Sequence, residues 1–135
     1  MSLNPSTAIC STLVRILLIV TGLGAIGIAS AQGVPRSFVA SPDIYKVVAQ
    51  ADESKYLVIL ATWKPGERDK FHSEPARGAY FLTDCQLRSY FPGEELHPRW
   101  IHDPAGAAFV RGAVPSVSLE NVGGSECKLL LFERK

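Results

Sequence analysis

The sequence predicts an all-β fold, a single-domain sandwich or barrel, and three observations carry that expectation. Apolar bursts of four to nine residues recur at 8 to 12 residue intervals, the spacing of short strands joined by turns. Beyond the first 31 residues, no stretch keeps apolar residues at three-and-four spacing long enough for a full helix. Nine prolines and eleven glycines supply the tight corners that many short strands need, and 135 residues suffice for one core of ordinary size.

Residues 1–15 contain no acidic side chain and one basic one, Arg15, directly before an apolar run over 16–28. Ala29-Ser30-Ala31 follows, and small side chains at Ala29 and Ala31 suit the shallow pockets of a signal peptidase. Residues 1–31 therefore read as a signal peptide cut between Ala31 and Gln32. A retained anchor is the alternative, but thirteen apolar residues diluted by Gly22, Gly24 and Gly27 make a helix of about 20 Å against a hydrocarbon core of about 30 Å. Cys10 precedes the apolar run and no twin-arginine pair is present, so the expectation is export through the general secretion route without a lipid anchor. The mature protein is expected to be periplasmic or secreted, with no stable membrane anchor after cleavage.

Residues 32–43, with Pro35 and Pro42, read as an irregular lead-in to a barrel domain over 44–135. Strands are expected over 44–50 and over 55–63, where β-branched and aromatic residues run up to Pro65-Gly66. Next come 78–83 and 86–91, read as a hairpin around Asp84-Cys85 and ended by Pro92-Gly93. Segments 99–102 and 107–111 are short strand candidates. Segments 116–121 and 126–133 flank Val122-Gly123-Gly124-Ser125 and read as a second hairpin.

Removal of residues 1–31 leaves thirteen basic and thirteen acidic side chains, a balance that argues against a nucleic-acid partner. The mature chain keeps Cys85 and Cys127 in a compartment where disulfides persist. A bridge between them or two free thiols are both compatible with the sequence.

The chemistry concentrates after Gly66. Six residues on stands His72, then Glu74, then an apolar strand; this segment resembles the first signature of the cupin family, G-x(5)-H-x-H-x(3,4)-E-x(6)-G. The second cupin signature, G-x(5)-P-x-G-x(2)-H-x(3)-N, lies without gaps on 106–121, with Gly106 and Asn121 matching. The resemblance spans nearly all of the mature chain and implies a double-stranded β-helix, the RmlC-like jelly-roll barrel. It extends to small exported cupin-like proteins that carry a histidine-serine stretch and a late Glu-Asn turn, here His72 to Pro75 and Glu120 to Gly123.

The resemblance also implies a metal held by two histidines and a glutamate of the first motif and a histidine of the second, and here that pattern breaks. The second histidine is Glu74, the motif glutamate falls on Gly78 or Ala79, and the second-motif histidine falls on Val117. The motif's proline and second glycine fall on Gly112 and Val114, and its closing glycine falls near Cys85. His72 and Glu74, two apart on a strand, would face one interior, but two donors fall short of the three protein ligands that a catalytic transition metal ordinarily takes. No cofactor is therefore expected, and a divalent transition metal on His72 and Glu74 is the alternative.

Without a metal, His72 and Glu74 form either a base-and-orienter pair or a polar pair that simply hydrogen-bonds. Arg77 and Arg88 are expected on the surface, as are His97 and His102. Trp63, Tyr80, Phe81, Trp100 and Phe109 divide between core and pocket lining. The resulting expectation is a non-enzymatic or cryptically enzymatic barrel that binds a small polar or aromatic molecule near His72, Glu74, Tyr80 and Val117. The alternatives are a metal-dependent enzyme that recruits a further ligand, and a structural module that forms a homodimer through an edge strand such as 44–50.

Overall fold

In the computed structural model, which describes residues 33–51, 53 and 55–135, strict two-residue alternation builds the interior. The expected signal peptide, with its expected cut between Ala31 and Gln32, lies outside the described residues. Among the described residues no helix is long and apolar enough to cross a membrane.

A one-turn helix α1 (Ser37–Ala40) precedes nine strands: β1 (Tyr45–Gln50), β2 (Tyr56–Trp63), β3 (His72–Glu74), β4 (Arg77–Phe81), β5 (Cys85–Tyr90), β6 (Arg99–Asp103), β7 (Ala108–Arg111), β8 (Val114–Asn121) and β9 (Cys127–Arg134). They form a five-stranded sheet in the order β1-β2-β9-β4-β7 and a four-stranded sheet in the order β3-β8-β5-β6. Every neighbouring pair is antiparallel. The inward side chains of both sheets meet in one apolar cluster that includes Ile59, Trp63, Phe81, Leu87, Val117 and Leu131. This is a jelly roll, as expected.

Both expected hairpins are corrected. β4 pairs with β7 and β9, whereas β5 pairs with β6 and β8, so the chain changes sheets between Phe81 and Cys85. β8 and β9 likewise lie in different sheets. Alternation along a strand says which side faces the core; it does not say which of two facing sheets the strand joins. The hairpins among consecutive strands are β1 with β2 and β5 with β6. The lead-in is more ordered than expected: besides α1, Arg36 bridges in parallel to Ser73, whose backbone N–H donates to the Pro35 carbonyl at 2.8 Å.

Two turns that the proline-glycine pairs signalled close as type II turns. Gly66 and Gly93 have φ of 76° and 80°, each follows a proline, and the N–H groups of Glu67 and Glu94 donate back to Lys64 and Phe91 at 3.0 Å. Cys85 and Cys127 are joined in a disulfide that ties the first residue of β5 to the first of β9, and so one sheet to the other. Asn121, the signature residue at the end of β8, is buried and holds the following turn, donating to the Trp63 and Ser125 carbonyls and accepting from Gly123 N–H.

The interior is graded along its length. Inward positions of β9 run Cys127, Leu129, Leu131, Glu133, and those of β4 run Phe81, Ala79, Arg77 in the opposite direction. In register, Leu129 faces Phe81, Leu131 faces Ala79 and Glu133 faces Arg77. Arg77, expected on the surface, is therefore buried at one end of the core.

Candidate functional site

β3 is only three residues long, yet it turns both His72 and Glu74 inward, where they are buried. His72 pairs in register with Val117 of β8, and both are 0% exposed. The histidine of the first signature and the valine in place of the second-signature histidine thus share the same interior, as the sequence reading required.

As a neutral ring, His72 donates from Nδ1 only, and its Nε2 lone pair faces a carboxylate oxygen. Nδ1 lies 2.9 Å from the Lys70 carbonyl, which fixes it as a donor, and Nε2 lies 3.3 Å from Glu74 Oε1. The ring packs edge-on against Tyr45 at 5.2 Å between centroids. Burial pushes the imidazole below its ordinary pKa, opposed by the Asp69 carboxylate and the Lys70 carbonyl. Tyr45 in turn donates from its hydroxyl to Asp69 Oδ2 at 2.5 Å, and Leu119 N–H donates to Asp69 Oδ1 at 2.6 Å. Burial raises both Tyr45 and Asp69 above their ordinary values, with the nearby Asp69 charge adding to the shift of Tyr45.

Glu74 is held from two sides. Arg77 Nη2 donates to Oε1 at 2.5 Å, and Arg111 Nη2 donates to Oε2. Arg77 Nη1 reaches on to Glu133 Oε1 at 3.2 Å, and Arg36 Nη2 binds Glu133 Oε2 at 2.6 Å. Glu74 and Glu133 therefore face Arg36, Arg77 and Arg111, whereas Asp69 lies against the Tyr45 hydroxyl and, at 3.8 Å, His72 Nδ1. The sequence reading did not single out Asp69, Arg36, Arg111 or Glu133. A signal for Glu133 was present: the alternation of Cys127, Leu129 and Leu131 on the inward face continues onto it.

This donor set does not fit a metal. Glu74 spends both oxygens on guanidinium groups, His72 Nδ1 is committed to a carbonyl, and Val117 offers no lone pair. Of the positions on which the motif glutamate falls, Gly78 and Ala79, neither carries a donor side chain. Among the described residues no group of three or more His, Cys, Asp or Glu is arranged to hold an ion.

Tyr80 does not join the site. It points away from the interior on the outer face of β4, 41% exposed. Trp63 and Phe81 are core, and Phe109 packs on Phe81 at 5.8 Å. Trp100 lies on the outer face of β6 under the Arg88 guanidinium at 4.3 Å, and His97 and His102 are exposed. At the charged end, however, Glu74 forms part of the wall of an open cleft of about 750 Å³. Pro75, Ala76, Val114 and Pro115 give it an apolar floor, and Arg36, Arg134 and Lys135 stand around it.

No family model and no curated protein matches the chain. Its backbone is similar to a cupin domain from Bordetella pertussis Tohama I, with 16% sequence identity, coverage of 67% of this chain and 93% of that one, and a TM-score of 0.57. It also aligns with the cupin-2 domain of an XRE family transcriptional regulator from Enterobacter cloacae at 10% identity, 68% and 95% coverage and a TM-score of 0.49. A cupin superfamily protein from Desulfitobacterium hafniense aligns at 14% identity, 67% and 75% coverage and a TM-score of 0.48. At 16% identity, the first likeness shows the fold alone.

Proposed function

We propose, from the premise that this chain is a cupin-fold jelly roll, that it is an exported binding protein that works without a metal and takes a small anionic molecule in the cleft beside Glu74. The observation that carries this reading is the division of the charged end into two parts. The terminal nitrogens of Arg77 and Arg111 and both oxygens of Glu74 are engaged with one another, and the Nε groups of Arg36, Arg77 and Arg111 that lack a partner are buried away from solvent. The cleft over them has an apolar floor, an open mouth and three basic side chains around it. That combination suits a carboxylate or similar anion on a compact apolar body, with the guanidinium of Arg134 as the gripping group.

Calorimetric titration of the purified protein with a panel of small aromatic and aliphatic carboxylates tests the reading. Saturable 1:1 binding to the parent, weakened tenfold or more in Arg134→Glu, is expected. Binding that ignores Arg134→Glu, or no binding across the panel, would count against the cleft. Elemental analysis of the same preparation is expected to show no stoichiometric transition metal.

A further inference from the structure

We propose that the guanidinium of Arg77 is a built-in counter-cation for Glu74 and Glu133, taking the role that the cupin resemblance implies for a metal ion on His72 and Glu74. The inference rests on the metal-free part of the reading above and is independent of the cleft. Arg77 is buried, lies on the central portion of the five-stranded sheet next to β9, and spans two carboxylates: Nη2 to Glu74 and Nη1 to Glu133. Glu74 Oε1, the oxygen that Arg77 grips, is also the oxygen that faces His72 Nε2. One imidazole and two carboxylates are therefore oriented about a single positive group.

A carboxylate sealed in a low-dielectric interior needs a counter-charge, and the source of that charge is what varies. A divalent ion supplies it from outside. Arg77 supplies it from the chain, with no dependence on metal supply and no open coordination position. The chemistry of the neighbours agrees: Val117, opposite His72, adds apolar bulk where a further ligand would otherwise stand. Arg36 and Arg111 hold the other oxygens of Glu133 and Glu74, so deletion of Arg77 leaves the two inner oxygens, Glu133 Oε1 and Glu74 Oε1, without their guanidinium donor.

This predicts two kinds of rescue. Arg77→Met should unfold at a markedly lower temperature than the parent, and Arg77→Met/Glu133→Gln, which removes one of the two buried carboxylates left without the Arg77 donor, should be more stable than Arg77→Met although it carries one more substitution. A packing role for the Arg77 stem predicts the opposite order. In the single variant, Ni²⁺ or Mn²⁺ should bind at 1:1 and raise the unfolding temperature, and His72→Ala should abolish that response. The parent should show neither effect. If Arg77→Met is unfolded, the double variant still decides: a folded double supports the proposal and an unfolded one overturns it. A folded Arg77→Met that ignores both metals, or a parent that binds either of them through His72, would also overturn it. The carboxylate titration of Arg134→Glu reads the cleft separately, so the two proposals fail by different measurements.

Discussion

The two ends of one interior are built on opposite principles from the same strands. At one end Phe81, Leu87 and Leu129 pack around the Cys85–Cys127 disulfide, and cohesion there comes from removal of apolar surface from water and from a covalent tie. Four residues along β4 and β9, Arg77 and Glu133 occupy equivalent inward positions, and cohesion comes from a chain of shared charges, Arg36–Glu133–Arg77–Glu74–Arg111. The apolar end tolerates loss of a contact in proportion to the volume removed. The charged end is a linked set in which each group is needed to neutralise another, and its failure is correspondingly abrupt.

The largest expected effect tests that contrast directly. Glu74→Ala strands the Arg111 guanidinium, leaves Arg77 with Glu133 alone and should cost about 5 kcal/mol, the upper end for breaking a buried ion pair, whereas Leu131→Ala in the apolar half should cost about 3 kcal/mol. Urea unfolding of both variants measures the difference, and a larger loss from Leu131→Ala would erase the distinction. Next in size is the disulfide. Its two cysteines are 42 residues apart, so Cys85→Ala/Cys127→Ala should lower stability by about 4 kcal/mol through the freed unfolded chain. That loss should leave the chemical shift of the His72 ring unchanged in the folded state, and a moved ring signal would mean that the two ends are coupled.

The smallest effect is that of pH. Burial makes the His72 imidazole harder to protonate in the folded state than at its ordinary 6.5, so its contribution is full above pH 6.5 and is lost as pH falls through the folded value. Tyr45, held above its ordinary 10.0, contributes fully below that value and loses its contribution as pH rises beyond it. Asp69 is raised above 3.8, so its contribution is present in acid and lost as pH rises through its folded value, which offsets part of the His72 loss at the acid end. Stability from these groups should therefore peak between about pH 7 and pH 10. Urea midpoints measured across pH should show an acid limb that flattens in His72→Asn; an unaltered limb would place the titration elsewhere.

What the sequence disclosed follows from what alternation can encode. Strand positions, the proline-glycine turns and the shared interior of His72 and Val117 were legible because each depends on local pattern. The partition of strands between sheets was not, since β4 and β5 carry the same alternation and differ in partners that lie far along the chain. Arg77 was misplaced on the surface for a related reason: a buried arginine becomes affordable through its partners, and Glu133 lies 56 residues away. The cysteine pairing needed the fold before it could be resolved, because the two residues begin strands on facing sheets.

The position of β9 has a consequence for assembly. It is the last strand of the described chain and the middle member of its sheet, flanked by β2 and β4. Until its eight residues arrive, the β1–β2 hairpin and the β4–β7 pair each present a bare edge to the other, and neither Cys85 nor Arg77 has its full complement of partners. The sheet therefore closes like an arch receiving its keystone, and a chain that emerges from its N-terminus would remain sticky until β9 had joined it.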